Sequence, residues 1–266
     1  MSAAAGVSVT LRGARVQTRV IGALMMRELH TRYGRDNIGY LWIFAEPMLL
    51  AVAVATLHAG QHIRSLGGLR PVPFVLVGYG LFIAFRSILS RAESLIEANR
   101  PLLHHRRVTL FDMLVARALL EAAGTLLALA LLLAAAIALD LADPPARPGV
   151  LLAAASLMLW FSFALSMLVA AAAQRSQLFA RLLHPALYLS LPLSGAFFVL
   201  AWLPGPIRDL LAPVPLVQIF ELARHGMFAA ASDVMVDLPA ILAWCLGLTL
   251  AGMLSLRAVR RHIELS

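Results

Sequence analysis

The chain reads as an all-α integral membrane protein with six membrane-spanning helices, and three observations point there. Of its 266 residues, 61% are hydrophobic, and the mean hydropathy is +0.84. Soluble domains do not reach that composition, and a chain this short cannot enclose so much apolar surface in one core. Six stretches are long and apolar enough to cross, or nearly cross, a hydrocarbon layer of about 30 Å, which takes roughly 20 helical residues. The arginines, finally, crowd onto alternate loops.

Residues 1–37 form the first element, an N-terminal segment ahead of the spans. Arg12, Arg15, Arg19 and His30 share one flank of a helical wheel, and Val20, Ile21, Leu24 and Met25 cover much of the other. That pattern suits a helix lying on the cytoplasmic membrane surface. The apolar VIGALMM stops at Arg27 without a small-residue cleavage site, so no signal peptide is expected.

The spans are expected at about 38–58, 72–90, 112–139, 149–173, 180–202 and 238–258, making 38–258 one membrane domain and 259–266 a tail. The first opens with Tyr40 and Trp42 where an aromatic belt lies. It then carries Glu46–Pro47, a carboxylate and a helix breaker in mid-run. An ionised group there costs about 2.5–3.5 kcal/mol, so it faces protein or water rather than lipid. The third contains AAGTLLALALLLAAAIAL, free of charge between Glu121 and Asp140, with Arg117 and Glu121 four apart and able to pair. Pro185 and Pro192 predict a kink in the fifth.

Between the fifth and sixth spans, residues 203–237 are too long for a turn. LPGPIRDLLAPVPLVQIFELARHGMF reads as two short helices divided by Pro213 and Pro215, neither long enough to span. Glu221 and Arg224, three apart, are placed to form a structural pair on one helix face.

Orientation follows from the arginines. Six lie between Arg12 and Arg35, four in the loop after span two (Arg91, Arg100, Arg106, Arg107), then Arg175 and Arg181, and finally Arg257, Arg260 and Arg261. The opposite loops hold Arg64, Arg70, Arg147, Arg208 and Arg224. The positive-inside rule therefore puts both termini in the cytoplasm.

All 22 basic residues are Arg. Without a Lys to reach nucleotide phosphates, the chain is not expected to be a P-loop ATPase by itself. Cys245, the lone cysteine, allows no internal disulfide and reads as a small apolar residue. His104, His105 and His184 lack metal spacing, and no nucleic-acid partner is indicated.

Three stretches carry a family resemblance. RELHTRYGRDNIGYLWIFAEP resembles the opening of the permease subunits of type-2 ABC exporters, closest to the branch that exports capsular polysaccharide and O-antigen. SLIEANRPLLHHRRVTLFDMLVARALLE (94–121) is similar to that family's link between spans two and three, and PVPLVQIFELARHGMF (213–228) to its segment before the last span, with Val214 where the family places Asn. The resemblance implies a homodimer of six-helix subunits in the bacterial inner membrane, joined to two copies of a separate P-loop ATPase that binds ATP and Mg. No cofactor is expected in this chain. It makes the two short helices re-entrant, near the exit of a path, and makes residues 91–103 a coupling helix. There Arg91, Glu93, Glu97 and Arg100 would set register and Leu95 and Ile96 would fill a groove on the ATPase, with Pro101 ending the helix.

On that reading the cargo is a lipid-linked, anionic surface polysaccharide. It would meet Arg32, Tyr33 and Arg35 at the cytoplasmic face, then Tyr40 and Trp42, then Glu46. A periplasmic export partner is left open. Two alternatives stand beside it: an ABC exporter of a small drug or lipid, and an integral-membrane transferase. The transferase requires convergent acid–base or metal groups on one face, and the carboxylates here are scattered.

Overall fold

The computed structural model describes residues 2–33, 49, 69–99, 108–231 and 236–265. The described elements are helical: α1 (Ser2–Tyr33), α2 (Pro71–Glu93), α3 (Leu95–Ala98), α4 (Leu110–Ala138), α5 (Pro148–Arg175), α6 (Gln177–Ser190), α7 (Gly205–Leu211), α8 (Pro215–Met227) and α9 (Leu238–Leu265). Among the described residues no β-strand occurs. Four of these helices, α2, α4, α5 and α9, are long and apolar enough to cross a membrane. They correspond to the expected second, third, fourth and sixth spans. The expected first span lies outside the described residues except for Leu49.

Local chemistry sets the boundaries. Pro71, Pro148 and Pro215 open α2, α5 and α8 at positions where a missing N–H costs nothing. Thr109 caps α4 reciprocally with Asp112: the hydroxyl accepts from the Asp112 N–H at 3.1 Å, and the carboxylate accepts from the Thr109 N–H at 3.2 Å. Ser176, the single residue between α5 and α6, accepts from the Phe179 N–H at 3.2 Å. Val214 supplies no side-chain cap to α8.

α5 is the hub. It packs against α2 and α9, and against α8 near its own N-terminus. Its buried Ala154, Met158, Ala164 and Met167 are fully covered, small or pliable side chains that allow close helix approach. α2 lies mostly inside the bundle, whereas α9 turns Leu242, Leu246, Leu250 and Leu254 outward.

The fifth stretch departs from expectation. In place of one kinked span over 180–202, α6 ends at Ser190 after 14 residues, about 21 Å of helix. Short 3-10 turns follow at Leu191–Leu193 and Leu200–Trp202. Pro185 is accommodated within α6, but Pro192 falls in the first of those turns, and Gly195 has φ +93. That conformation favours a residue without Cβ. Ser194, Gly195, Ala196 and Leu200 are nonetheless buried. Gly78 on α2 admits the loop: a Cβ there would lie 2.1 Å from the Ala196 carbonyl oxygen.

Candidate functional site

The bundle carries polar structure at both ends and along one flank. At the end where α2 finishes and α4 begins, α1 is bound by charged contacts. Arg117 Nε lies 3.3 Å from Glu28 Oε1, and its Nη1 donates to the Arg91 carbonyl at 2.8 Å. Arg91 Nε lies 3.4 Å from Glu121 Oε1. Gln17 donates to Asp112 Oδ1 at 2.9 Å, and Arg27 donates to Asn99 Oδ1. Asn99 in turn donates to the Leu95 carbonyl at 2.8 Å. The side chains of Arg117 and Glu28 are only 11% and 12% exposed, so this pair is largely desolvated at the junction of α1, α2, α3 and α4.

At the opposite end, Glu221 and Arg224 on α8 form a buried pair at 2.8 Å. Both also reach the broken stretch after α6. Glu221 Oε1 accepts from the Leu200 N–H at 2.9 Å, and Arg224 donates to the Gly195 carbonyl. The guanidinium lies 4.9 Å from the Phe74 ring centroid on α2. Arg147 donates to the His225 carbonyl at 2.8 Å, stapling the α4–α5 loop to the same helix.

The flank is where α2 meets α6. Tyr79, Ile83, Arg86, Ser90 and Glu93 recur every three or four residues on α2, all half-buried. On α6, Arg181, His184 and Tyr188 share an exposed face opposite the buried Leu183 and Leu187. Ser90 Oγ and His184 Nε2 are 3.0 Å apart, Arg86 stands 4.7 Å from the Tyr188 ring centroid, and Tyr79 stacks on Phe197 at 6.2 Å. These three contacts follow the α2–α6 flank, with the apolar Ile83 between Arg86 and Tyr79.

The expected site residues fall in separate places. Arg32 and Tyr33 close α1, and their side chains are outside the described residues, as are Arg35, Tyr40, Trp42, Glu46 and Arg100. Arg91 belongs to the α1 junction. Glu93 is half-buried and Glu97 exposed. Leu95 and Ile96 are 0% and 3% exposed. Both pack in this chain's own core, where the four-residue α3 turns its apolar side inward between α4 and α5. Pro213 is exposed in the turn before α8, and Pro215 is buried at its first position. Glu28, Asn99 and the Arg86–Tyr188 contact escaped the sequence reading. The 79-83-86-90-93 spacing on α2 was the available signal for the last of these.

The fold and these three groups define a multi-helix membrane protein whose polar chemistry sits at its two ends and on one flank. The chain belongs to the ABC-2 type transporter family, which it matches over residues 19–228. It is 34% identical over 249 residues to the capsule polysaccharide export inner-membrane protein BexB of Haemophilus influenzae, covering 94% of each chain. Similarity to the capsule polysaccharide export inner-membrane protein CtrC of Neisseria meningitidis is 36% over 220 residues, 83% of this chain and 82% of CtrC. The polysialic acid transport protein KpsM of Escherichia coli is 38% identical over 110 residues, 41% of this chain and 42% of KpsM.

Proposed function

We propose that the chain is the membrane subunit of an ATP-driven exporter that carries a lipid-linked, anionic surface polysaccharide across the bacterial inner membrane. The end-to-end likeness to BexB, over 94% of both chains, carries this reading. The α2–α6 line adds the physics: guanidinium groups suit phosphate or carboxylate, and ring faces stack on the apolar faces of sugar rings.

The proposed subunit has six crossings within 38–258. Four are α2, α4, α5 and α9, and 38–58 is the first. The fifth consists of α6 completed by 191–202, whose Ser194, Gly195, Ala196 and Leu200 are buried, since non-helical backbone is tolerated at membrane depth where protein covers it. α7 and α8 are its re-entrant helices. Both termini face the cytoplasm, in accord with the arginines gathered near α1, Arg91, Arg175 and Arg257. The working assembly is a homodimer with two P-loop ATPase subunits that bind ATP and Mg, and a periplasmic partner can join it.

The absence of any Lys leaves phosphate binding to the partner. The isolated chain should show no ATP hydrolysis, and co-expression with its ATPase should restore both turnover and surface polysaccharide in a cell lacking its own capsule permease. Turnover by the contaminant-free chain would sink the assignment. In the coupling segment, Glu97→Arg should weaken ATPase co-purification more than Glu93→Arg, because Glu97 is exposed and Glu93 half-buried. Equal complex yield from both variants would move the contact elsewhere, most directly to α1.

Arg32, Tyr33, Arg35, Tyr40, Trp42 and Glu46 form the proposed cytoplasmic mouth of the path. Arg32→Ala and Arg35→Ala should lower export several-fold while complex yield holds, and Glu46→Gln should be milder than Glu46→Leu. If complex yield falls in step with export, those arginines anchor the complex rather than receive cargo.

A further inference from the structure

Away from the α2–α6 line, a cavity of about 220 Å³ opens where the start of α4 meets the end of α9. Its walls are Leu110, Phe111, Met253 and Leu256, and Arg257 and Arg260 stand at it with Thr109. We propose that this cavity binds the phosphate-bearing headgroup of an anionic phospholipid from the cytoplasmic leaflet.

Charge and shape both select that ligand. The two arginines are three residues apart, on one face of α9, and both are exposed. The Thr109 hydroxyl is already given to Asp112 Oδ2 at 2.7 Å, whereas a guanidinium carries five N–H donors and can add an anion to the contacts it has. Asp112 is itself held by Gln17 and Thr109. Phe111 is fixed edge-on to Phe163 of α5 at 5.7 Å, giving the cavity a firm apolar wall. The volume is below the roughly 300–1,000 Å³ of drug-sized sites, enough for a headgroup and the start of its chains. Leu250, Met253 and Leu254 continue outward along α9, all exposed, as a track for an acyl chain. Basic pockets between helices at the cytoplasmic surface recognise anionic headgroups in this way. The inference needs only that this end of the bundle meets the cytoplasmic leaflet, and it is independent of the cargo.

The test is native mass spectrometry of the full chain in neutral detergent, titrated in parallel with phosphatidylglycerol and phosphatidylcholine. One phosphatidylglycerol per chain should be retained preferentially. Arg257→Gln with Arg260→Gln should weaken it about 30-fold, the effect of losing two guanidinium–headgroup contacts at a membrane surface. Met253→Trp, which fills the cavity and keeps both charges, should also abolish the preference, while Arg175→Gln at the same end should not. All the altered side chains are exposed, so folding is retained. Equal retention of the two lipids overturns the proposal. Wild-type retention by Met253→Trp does so too, because it would reduce the effect to surface charge without a cavity.

Discussion

Arg224→Leu is expected to remove most of the folded, monodisperse protein. The change strands the Glu221 carboxylate, whose side chain is 6% exposed, and leaves the Gly195 carbonyl without its donor. Breaking one partner of a buried pair costs about 3–5 kcal/mol, a large part of the roughly 5–15 kcal/mol that holds a native protein together. Glu221→Gln should be milder, since an amide oxygen still accepts from the Leu200 N–H and from Arg224. The double change to Met at both positions should recover only part of the loss. It removes both charges but orphans the Leu200 N–H and the Gly195 carbonyl, at about 1–3 kcal/mol each. Size-exclusion recovery after graded heating reads the series. A wild-type midpoint for Arg224→Leu would show that the pair does not hold the broken stretch, and lost export at unchanged stability would make it a cargo contact.

That pair also marks how far the sequence could be read. The i, i+3 spacing of Glu221 and Arg224 was enough to predict their contact, because helical geometry alone brings such residues together. Their second partners, Leu200 and Gly195, were hidden. Those are backbone groups more than twenty residues away, freed by the proline-broken end of α6, and no local pattern announces which side chain will satisfy them. Spans α2, α4, α5 and α9 were legible for the opposite reason: long apolar runs with few charges admit one structure in lipid. Leu95 and Ile96 show the limit of an amphipathic turn: its pattern does not say which partner takes its apolar side, and both side chains are buried in the core. The Arg117–Glu28 contact joins residues 89 positions apart, so only α1 folding back on α4 could reveal it.

Arg86→Gln is expected to lower export about tenfold while leaving complex yield unchanged or slightly higher. Arg86 lies seven residues, about 10 Å, inside the Glu93 end of α2. A cation at that depth is costly to insert, so Arg86 faces protein or water rather than lipid. Its contact with the Tyr188 ring, 4.7 Å away, positions the charge on the flank between Ser90–His184 and Tyr79–Phe197. A ring face and an anion at the guanidinium edge are compatible contacts, so a passing carboxylate or phosphate can bind without full release from Tyr188. Tyr188→Phe keeps the ring face and should export nearly normally. Tyr188→Leu should fall toward Arg86→Gln, and the double variant should be no worse than the more impaired single, because the two side chains act together. Arg86→Glu should be the most impaired, since it sets like charge against an anionic polymer. Surface polysaccharide and detergent-stable complex are measured together for each variant. A fall in complex yield that matches the fall in export would make Arg86 a structural link between α2 and α6, and strictly additive single effects would separate it from Tyr188.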